Sequence, residues 1–342
     1  MNQEIWQQLL SLESQDMVKK WFNCIHGHDL NSRRANEINS AAKQAREYFR
    51  NADSSSYSVR PLLTFYGVAS LGRSLSLLLR KSGGEEGLAG GHGITINNWN
   101  SILSGDLGLA LKKLESLEVC TCSGLFNDLL NATSNRMSIH VRSAIVDWHV
   151  CYNIPAPNEI ISLGDILKRL PDLKSDYSQI SDHVLYAYIH EISYPAEKEF
   201  TAKVSTSEFE NIRSVYSEHG YELIDKGGKT TIKASKETFK ANGPQFIHTY
   251  VQCPFGIPNL YLSCVFNKKT AYSQLCLTYL ASYFLGMLVR YFPTQWIALV
   301  QGGTGDSLWP TINRLQHYIE ESFPKLVIEL INDIMDDQDQ SD

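Results

Sequence analysis

The chain lacks most of the marks that would assign it to a chemistry. No Gly-x-x-x-x-Gly-Lys-Ser/Thr phosphate loop, Gly-x-Ser-x-Gly elbow or His-Glu-x-x-His metal helix occurs in its 342 residues. It has no excess of positive charge: 31 Lys and Arg against 37 Asp and Glu leave a net −6. That argues against a protein that coats nucleic acid, because such binding is driven largely by neutralising phosphates. The seven cysteines form no spaced framework, and several sit in apolar company, which fits reduced core residues in a cytoplasm. The longest apolar run, 277–289, falls short of the roughly 20 residues of a membrane span. MNQEIWQQLL carries no basic stretch leading into an apolar run. No signal peptide, no membrane association and a cytoplasmic location are therefore expected. No repeat of fixed period occurs.

What is present is ordinary globular material. Hydrophobic residues make up 43% and charged residues 20%, enough apolar content to offset the entropy of ordering a core. Residues 4–25 carry Ile5, Leu9, Leu12, Met17, Trp21 and Ile25 at helical spacing, with Gly27 as the stop. Asn31 or Ser32 caps a second helix that runs to about Ala52, with Ala35, Ile38, Ala42, Ala45 and Phe49 on one face. Asp53 to Ser56 reads as a loop. Pro61 sits in the first turn of a third helix that is apolar nearly all round through Leu79, and so central. Shorter helices are expected at 107–117, 125–132 and 162–170, and longer ones at 271–291 and 309–335, the last interrupted at Pro324.

Between these halves the pattern changes to period two. Residues 221–224 and 230–234 flank Asp225-Lys226-Gly227-Gly228-Lys229, a hairpin signal. Strands are also expected at 200–204, 246–252 and 261–266. The expected fold class is α+β, predominantly α-helical with a small antiparallel β insertion between helical halves. Its organisation is a helical N-terminal region (1–182), a β-rich insertion (183–267), C-terminal helices packing on the N-terminal region (268–335) and an acidic tail (336–342).

Several segments together resemble the YaaC-like proteins: QAREYF (44–49), VRPLLTFYGVASLGR (59–73), the Gly91-His92-Gly93 turn, SLGDILKRLPDL (162–173), LGMLVRYFPTQW (285–296) and FPKLVIELI (323–331). They are spread over most of the chain in the expected order. The resemblance implies a bacterial, cytosolic protein of mainly helical architecture with a β insertion. None of these segments is a catalytic signature, and 83–90 and 302–307 depart from the family pattern.

Four groups of residues point to chemistry. Arg142 and His149 have six residues between them, a spacing used by helical ribonucleases of the HEPN type, in which the His moves protons and the Arg steadies phosphate charge. In a strand the two would face opposite ways. His92 between two glycines suits a close ligand approach or a tight turn. Arg60, Arg73 and Arg290 stand in apolar helices and are expected either in ion pairs, with Glu37, Glu47 or Asp165, or around an anion pocket between the helical halves. Lys226, Lys229, Lys233 and Lys236 give the hairpin a positive edge for nucleic acid or a protein partner, or a solvated face protecting an edge strand. Residues 302–307 resemble a phosphate nest without the Lys-Ser/Thr ending. His26-x-His28 and Cys120-x-Cys122 have the wrong spacing for common zinc sites, and no metal or cofactor is expected.

The functional expectation is a non-enzymatic or cryptic subunit acting through protein partners or as a homo-oligomer, in a bacterial multi-gene system such as phage defence. The 17 Tyr, 13 Phe and 6 Trp suit interfaces as well as cores. The alternatives are a metal-independent ribonuclease using Arg142 and His149, and a nucleotide or anion sensor using His92 and the arginines.

Overall fold

The computed structural model describes residues 1–137, 151–193, 199–242, 246–249, 259–266 and 270–339. Arg142 and His149 lie outside the described residues. In chain order the elements begin with helices α1 (Gln3–Leu9), α2 (Gln15–His26), α3 (Ser32–Ser54) and α4 (Arg60–Leu79). Then come β1 (His92–Ile96), α5 (Trp99–Leu103), α6 (Leu107–Leu111), β2 (Glu118–Gly124), α7 (Leu125–Ala132), β3 (Ile160–Ser162), α8 (Leu163–Leu167) and α9 (Lys174–Tyr177). The middle holds β4 (Tyr186–Ser193), β5 (Phe200–Ser205), α10 (Thr206–Phe209), α11 (Arg213–Glu218), β6 (Glu222–Lys226), β7 (Lys229–Ala234), α12 (Lys236–Asn242), β8 (Ile247–Thr249) and β9 (Leu260–Ser263). The chain ends in α13 (Gln274–Tyr291), α14 (Pro293–Val300) and α15 (Trp309–Asp339). The class is α+β with helix predominant.

The chain divides into two compact units. The first comprises Met1–Ser138, Ile154–Gly164 and Tyr272–Asp342. Its centre is α4, which packs against α3, α7, α13 and α15. Phe65, Val68, Leu71, Leu75, Leu77 and Leu78 of α4 are all buried, and each contributes about 1.5–3 kcal/mol by leaving water. Helix α4 is also long and apolar enough to cross a membrane by length and composition, although 67% of the window concerned is buried inside the structure. The expectation closed its apolar run at a charged residue, Arg290, whereas α4 reaches span length with Arg73 inside it. Helices α13 and α14 pass the same test jointly but are bent by 108°.

Caps follow the sequence closely. Asn31 accepts from the Arg34 amide at 2.9 Å, and Gly27 closes α2 in the left-handed conformation at φ 70°. The helix expected across 4–25 is instead two, because Ser14 turns the chain and caps α2 through its hydroxyl. Residues 53 and 54 extend α3 rather than forming a loop. Pro324 lies inside α15 without ending it; buried Phe323, Leu326 and Val327 hold the turn against the lost hydrogen bond.

The first unit also contains a sheet that the sequence reading did not anticipate, β1-β2-β3, antiparallel throughout. Strand β2 alternates buried Val119 and Thr121 with half-buried Glu118, Cys120 and Cys122. That period-two pattern was present in the sequence but lay inside a pair of cysteines.

The second unit comprises Ile139–Asn153 and Asp165–Ala271. Its six-stranded sheet runs β6-β7-β5-β4-β9-β8, all antiparallel. Strand β5 alternates strictly, with Phe200, Ala202 and Val204 buried. Phe209, Tyr216 and Phe239 from the short helices complete its core, with Phe239 stacked on Phe200 at 4.2 Å. The Tyr216 hydroxyl donates to the carbonyls of Phe246 and Ser263 at 3.2 and 2.8 Å, so its burial is satisfied.

Candidate functional site

From Thr64 to Leu78 every residue of α4 is buried except two: Tyr66 is half-buried and Arg73 is exposed. At that opening lies a cavity of about 270 Å3 lined by Gln44, Tyr48, Tyr66, Ala69, Ser70, Arg73, Gly91, His92 and Leu125. Its geometry follows from helical spacing. Helix α3 presents Gln44 and Tyr48 one turn apart, and α4 presents Tyr66, Ser70 and Arg73 along one face. Strand β1 closes the third side with His92, held where the Gly91 carbonyl accepts from the Leu125 amide at 3.1 Å.

The walls are donor-rich. Ser70 donates to the Gln44 side-chain oxygen at 3.2 Å, and the Tyr48 and Tyr66 rings lie 5.6 Å apart. Arg290, at the end of α13, donates to the Tyr66 hydroxyl at 3.0 Å and so stands behind the cavity wall. The His92 ring packs edge-on against Phe65 at 4.9 Å and Tyr283 at 6.1 Å. Burial among these rings lowers the His92 pKa, and the charges of Arg290 and Arg73 lower it further. Both effects favour the neutral imidazole over the charged one. Burial also pushes the Tyr283 phenol up to about 12. Among the described residues lining the cavity there is no carboxylate. Arg73 meets one from outside, Glu85, at 3.8 Å. Neutral donors with two guanidinium groups and no lining carboxylate suit a small anion.

Three of the four residues expected at a ligand site thus come together: His92 and Arg73 in the wall, Arg290 behind it. Arg60 does not join them. Its guanidinium forks onto Glu320 of α15, with Nε to Oε1 at 2.7 Å, and Thr64 and Gln316 complete the network at 3.0 and 2.8 Å. The expected acidic partners were also wrong. Arg60 takes Glu320 and Arg73 takes Glu85, while Asp165 pairs with Arg169 at 3.6 Å. Arg73 and Arg290 are exposed rather than buried, because one outward position on an apolar helix stays in water. A buried arginine in this unit is Arg34, which donates to the carbonyls of Leu77 and Arg80 and so caps the end of α4.

His92 is not in a free turn but opens a strand. In loop 302–307, Gly302, Thr304 and Ser307 are exposed, while Gly305, at φ 97°, lies against the Gly108 carbonyl of α6. On the hairpin, Lys226 and Lys229 are direct cross-strand partners. Lys233 lies on the same face four residue pairs along and meets Glu199 at 3.7 Å, and Lys236 begins α12. Among the described residues no group of three or more His, Cys, Asp or Glu is placed to hold a metal ion, and the His26 Nε2 lies 3.0 Å from the Leu78 carbonyl oxygen.

Sequence reading missed Gln44, Tyr48, Tyr66 and Ser70. The signal was available as polar residues at positions 66, 70 and 73, which share one helical face of α4. No curated protein and no solved structure matches the chain. The model of one family, the YaaC-like proteins, matches residues 10–331, nearly the whole length, and the chain belongs to that family.

Proposed function

We propose that the helical unit is a sensor for a small anionic ligand, bound in the cavity between α3, α4 and β1. The observation that carries this reading is the convergence of Arg73, His92 and Arg290-backed Tyr66 on one donor-rich cavity with no carboxylate among its described lining residues. His92 contributes a hydrogen bond, and the two arginines supply the charge. The cavity volume suits a compact phosphate ester, pyrophosphate or tricarboxylate.

Thermal melting of the full chain against inorganic pyrophosphate, citrate and nucleoside monophosphates tests the reading. An anion that occupies the cavity raises the melting temperature by a few degrees at saturation. The rise disappears in Arg73→Gln/Arg290→Gln. A rise that survives this double variant, or no rise with any of these anions, overturns the reading.

In this reading ligand occupancy is passed to a protein partner, within a bacterial multi-gene system such as phage defence. Affinity capture from the native host with and without the active anion tests that output. A partner whose recovery changes with the anion supports it, and a chain recovered alone under both conditions rejects it.

A further inference from the structure

Residues 80–91 run as a strap from α4 to β1, reaching the cavity wall at Gly91 and meeting Arg73 through Glu85. This strap is anchored at several points that do not use the Glu85 side chain. Arg80 donates to the Gly87 carbonyl at 2.8 Å. Arg33 pairs with Glu86 at 3.1 Å. The Glu85 amide donates to Glu37 at 3.0 Å, and the Ala89 amide to Asp128 at 2.8 Å. The Glu85 carboxylate is left with Arg73, at 3.8 Å, beyond hydrogen-bond distance, with each side chain close to half exposed.

We infer that Glu85 is an internal counter-ion, holding Arg73 in the empty protein and yielding it to a compact polyanion that enters the cavity. This rests on the anion-sensor reading above and assigns its regulation and ligand class. The Glu85 contact is a loose, monodentate pair in water-accessible surroundings, of the kind that contributes little. A phosphate or a multivalent carboxylate offers the guanidinium a bidentate fork and more than one negative charge. Exchange of partners at Arg73 therefore favours a polyanion over a single carboxylate. Because the strap keeps its other anchors, Glu85 leaves without unfolding it. The device grades affinity: Glu85 competes more effectively against monovalent anions than against multivalent ones.

Calorimetric titration of the full chain with inorganic pyrophosphate and with citrate tests this, using Glu85→Gln, Glu86→Gln and Arg73→Gln. Arg73 and Glu85 are close to half exposed and Glu86 more so, so none of the three substitutions opens the core. Removing the competitor in Glu85→Gln tightens binding about two- to fivefold, the range of a surface pair, and the gain shrinks as salt is raised. Glu86→Gln, which loosens the strap without touching Arg73, leaves affinity unchanged. Arg73→Gln weakens binding, and adding Glu85→Gln to it gains nothing more. Pyrophosphate alone, or both anions, showing this pattern supports the inference and separates recognition of phosphate from recognition of charge. Wild-type binding with no gain in Glu85→Gln overturns the counter-ion while leaving the sensor reading standing. An equal gain in Glu85→Gln and Glu86→Gln overturns it too, since strap mobility would then be the cause. Binding of neither anion to wild type or Glu85→Gln removes the sensor reading and this inference with it.

Discussion

The Phe49 ring of α3 occupies the place where Gly67 of α4 would carry a side chain. A Cβ built there would lie 2.7 Å from the Phe49 Cδ2. The two helices approach this closely because Gly67 has no side chain. Two effects oppose each other in Gly67→Ala. Alanine favours the helix by up to about 1 kcal/mol, while overpacking a filled core costs about 1–3 kcal/mol. The clash wins, because Phe49 is only 2% exposed and is wedged against Trp6 at 5.2 Å. Urea denaturation should show Gly67→Ala destabilised by about 1–2 kcal/mol. Phe49→Leu in the same chain should recover part of the loss, and a Gly67→Ala midpoint above wild type would contradict the packing.

Thiol reactivity should separate the cysteines by depth. Cys24 and Cys151 are exposed, whereas Cys276 is buried at the start of α13. Burial pushes the Cys276 thiol up to about 12, so it has almost no thiolate at pH 8. Peptide mass analysis after brief alkylation should find Cys24 and Cys151 modified and Cys276 untouched until denaturant is added. Early labelling of Cys276 would mean that the α13 core opens far more readily than its burial implies.

The long elements were legible because periodicity alone specifies them. Ala35, Ile38, Ala42, Ala45 and Phe49 form the buried face of α3 as the spacing requires, and Gly227-Gly228 turns β6 into β7. The three-stranded sheet was not legible. β3 has three residues, and β1 begins in a Gly-rich stretch with an irregular register next to His92. Short strands are specified by their neighbours more than by their own pattern. The site was half legible. A charged residue in an apolar helix drew attention to Arg73, but only tertiary structure brings Gln44, Tyr48 and Arg290 toward it. The same reasoning placed Arg60 at that site and failed, because its partner Glu320 lies on α15, far along the chain.

His92 makes a pH-dependent contribution of known sign. Its folded pKa is lowered, chiefly by burial, so the folded protein prefers the neutral ring. The contribution is fully present above the ordinary histidine value, about 6.5, and is lost as pH falls from there through the lowered folded value. His26 is lowered for the same first reason, so His92→Gln removes only part of the acid-side slope. Ring-proton NMR should place the His92 midpoint below 6.5. Arg73→Gln should move that midpoint upward by less than the full shift, since Arg73 is not the leading cause. A midpoint unmoved by Arg73→Gln would separate the imidazole from the cavity charges.

The Arg60–Glu320 pair joins α4 to α15, and its environment decides what its removal costs. Its side chains are 13% and 12% exposed, and Thr64 and Gln316 beside it are fully buried. The hydrogen bond to Glu320 raises the Arg60 pKa above its ordinary value, so the guanidinium stays charged at every accessible pH. Arg60→Ala then leaves a carboxylate in a nearly dry site, facing Thr64, Gln316 and, at 3.9 Å, the His317 ring. The expected loss is about 2–4 kcal/mol, somewhat below that for a fully buried pair. Replacing both ends, in Arg60→Met/Glu320→Leu, removes the stranded charge and refills the volume with apolar atoms. The double variant should be more stable than the sum of the single effects by at least about 1 kcal/mol. Denaturation of the four proteins of this cycle measures the difference. Strict additivity would show that the two groups act independently, and that α4 and α15 are held by apolar contact alone.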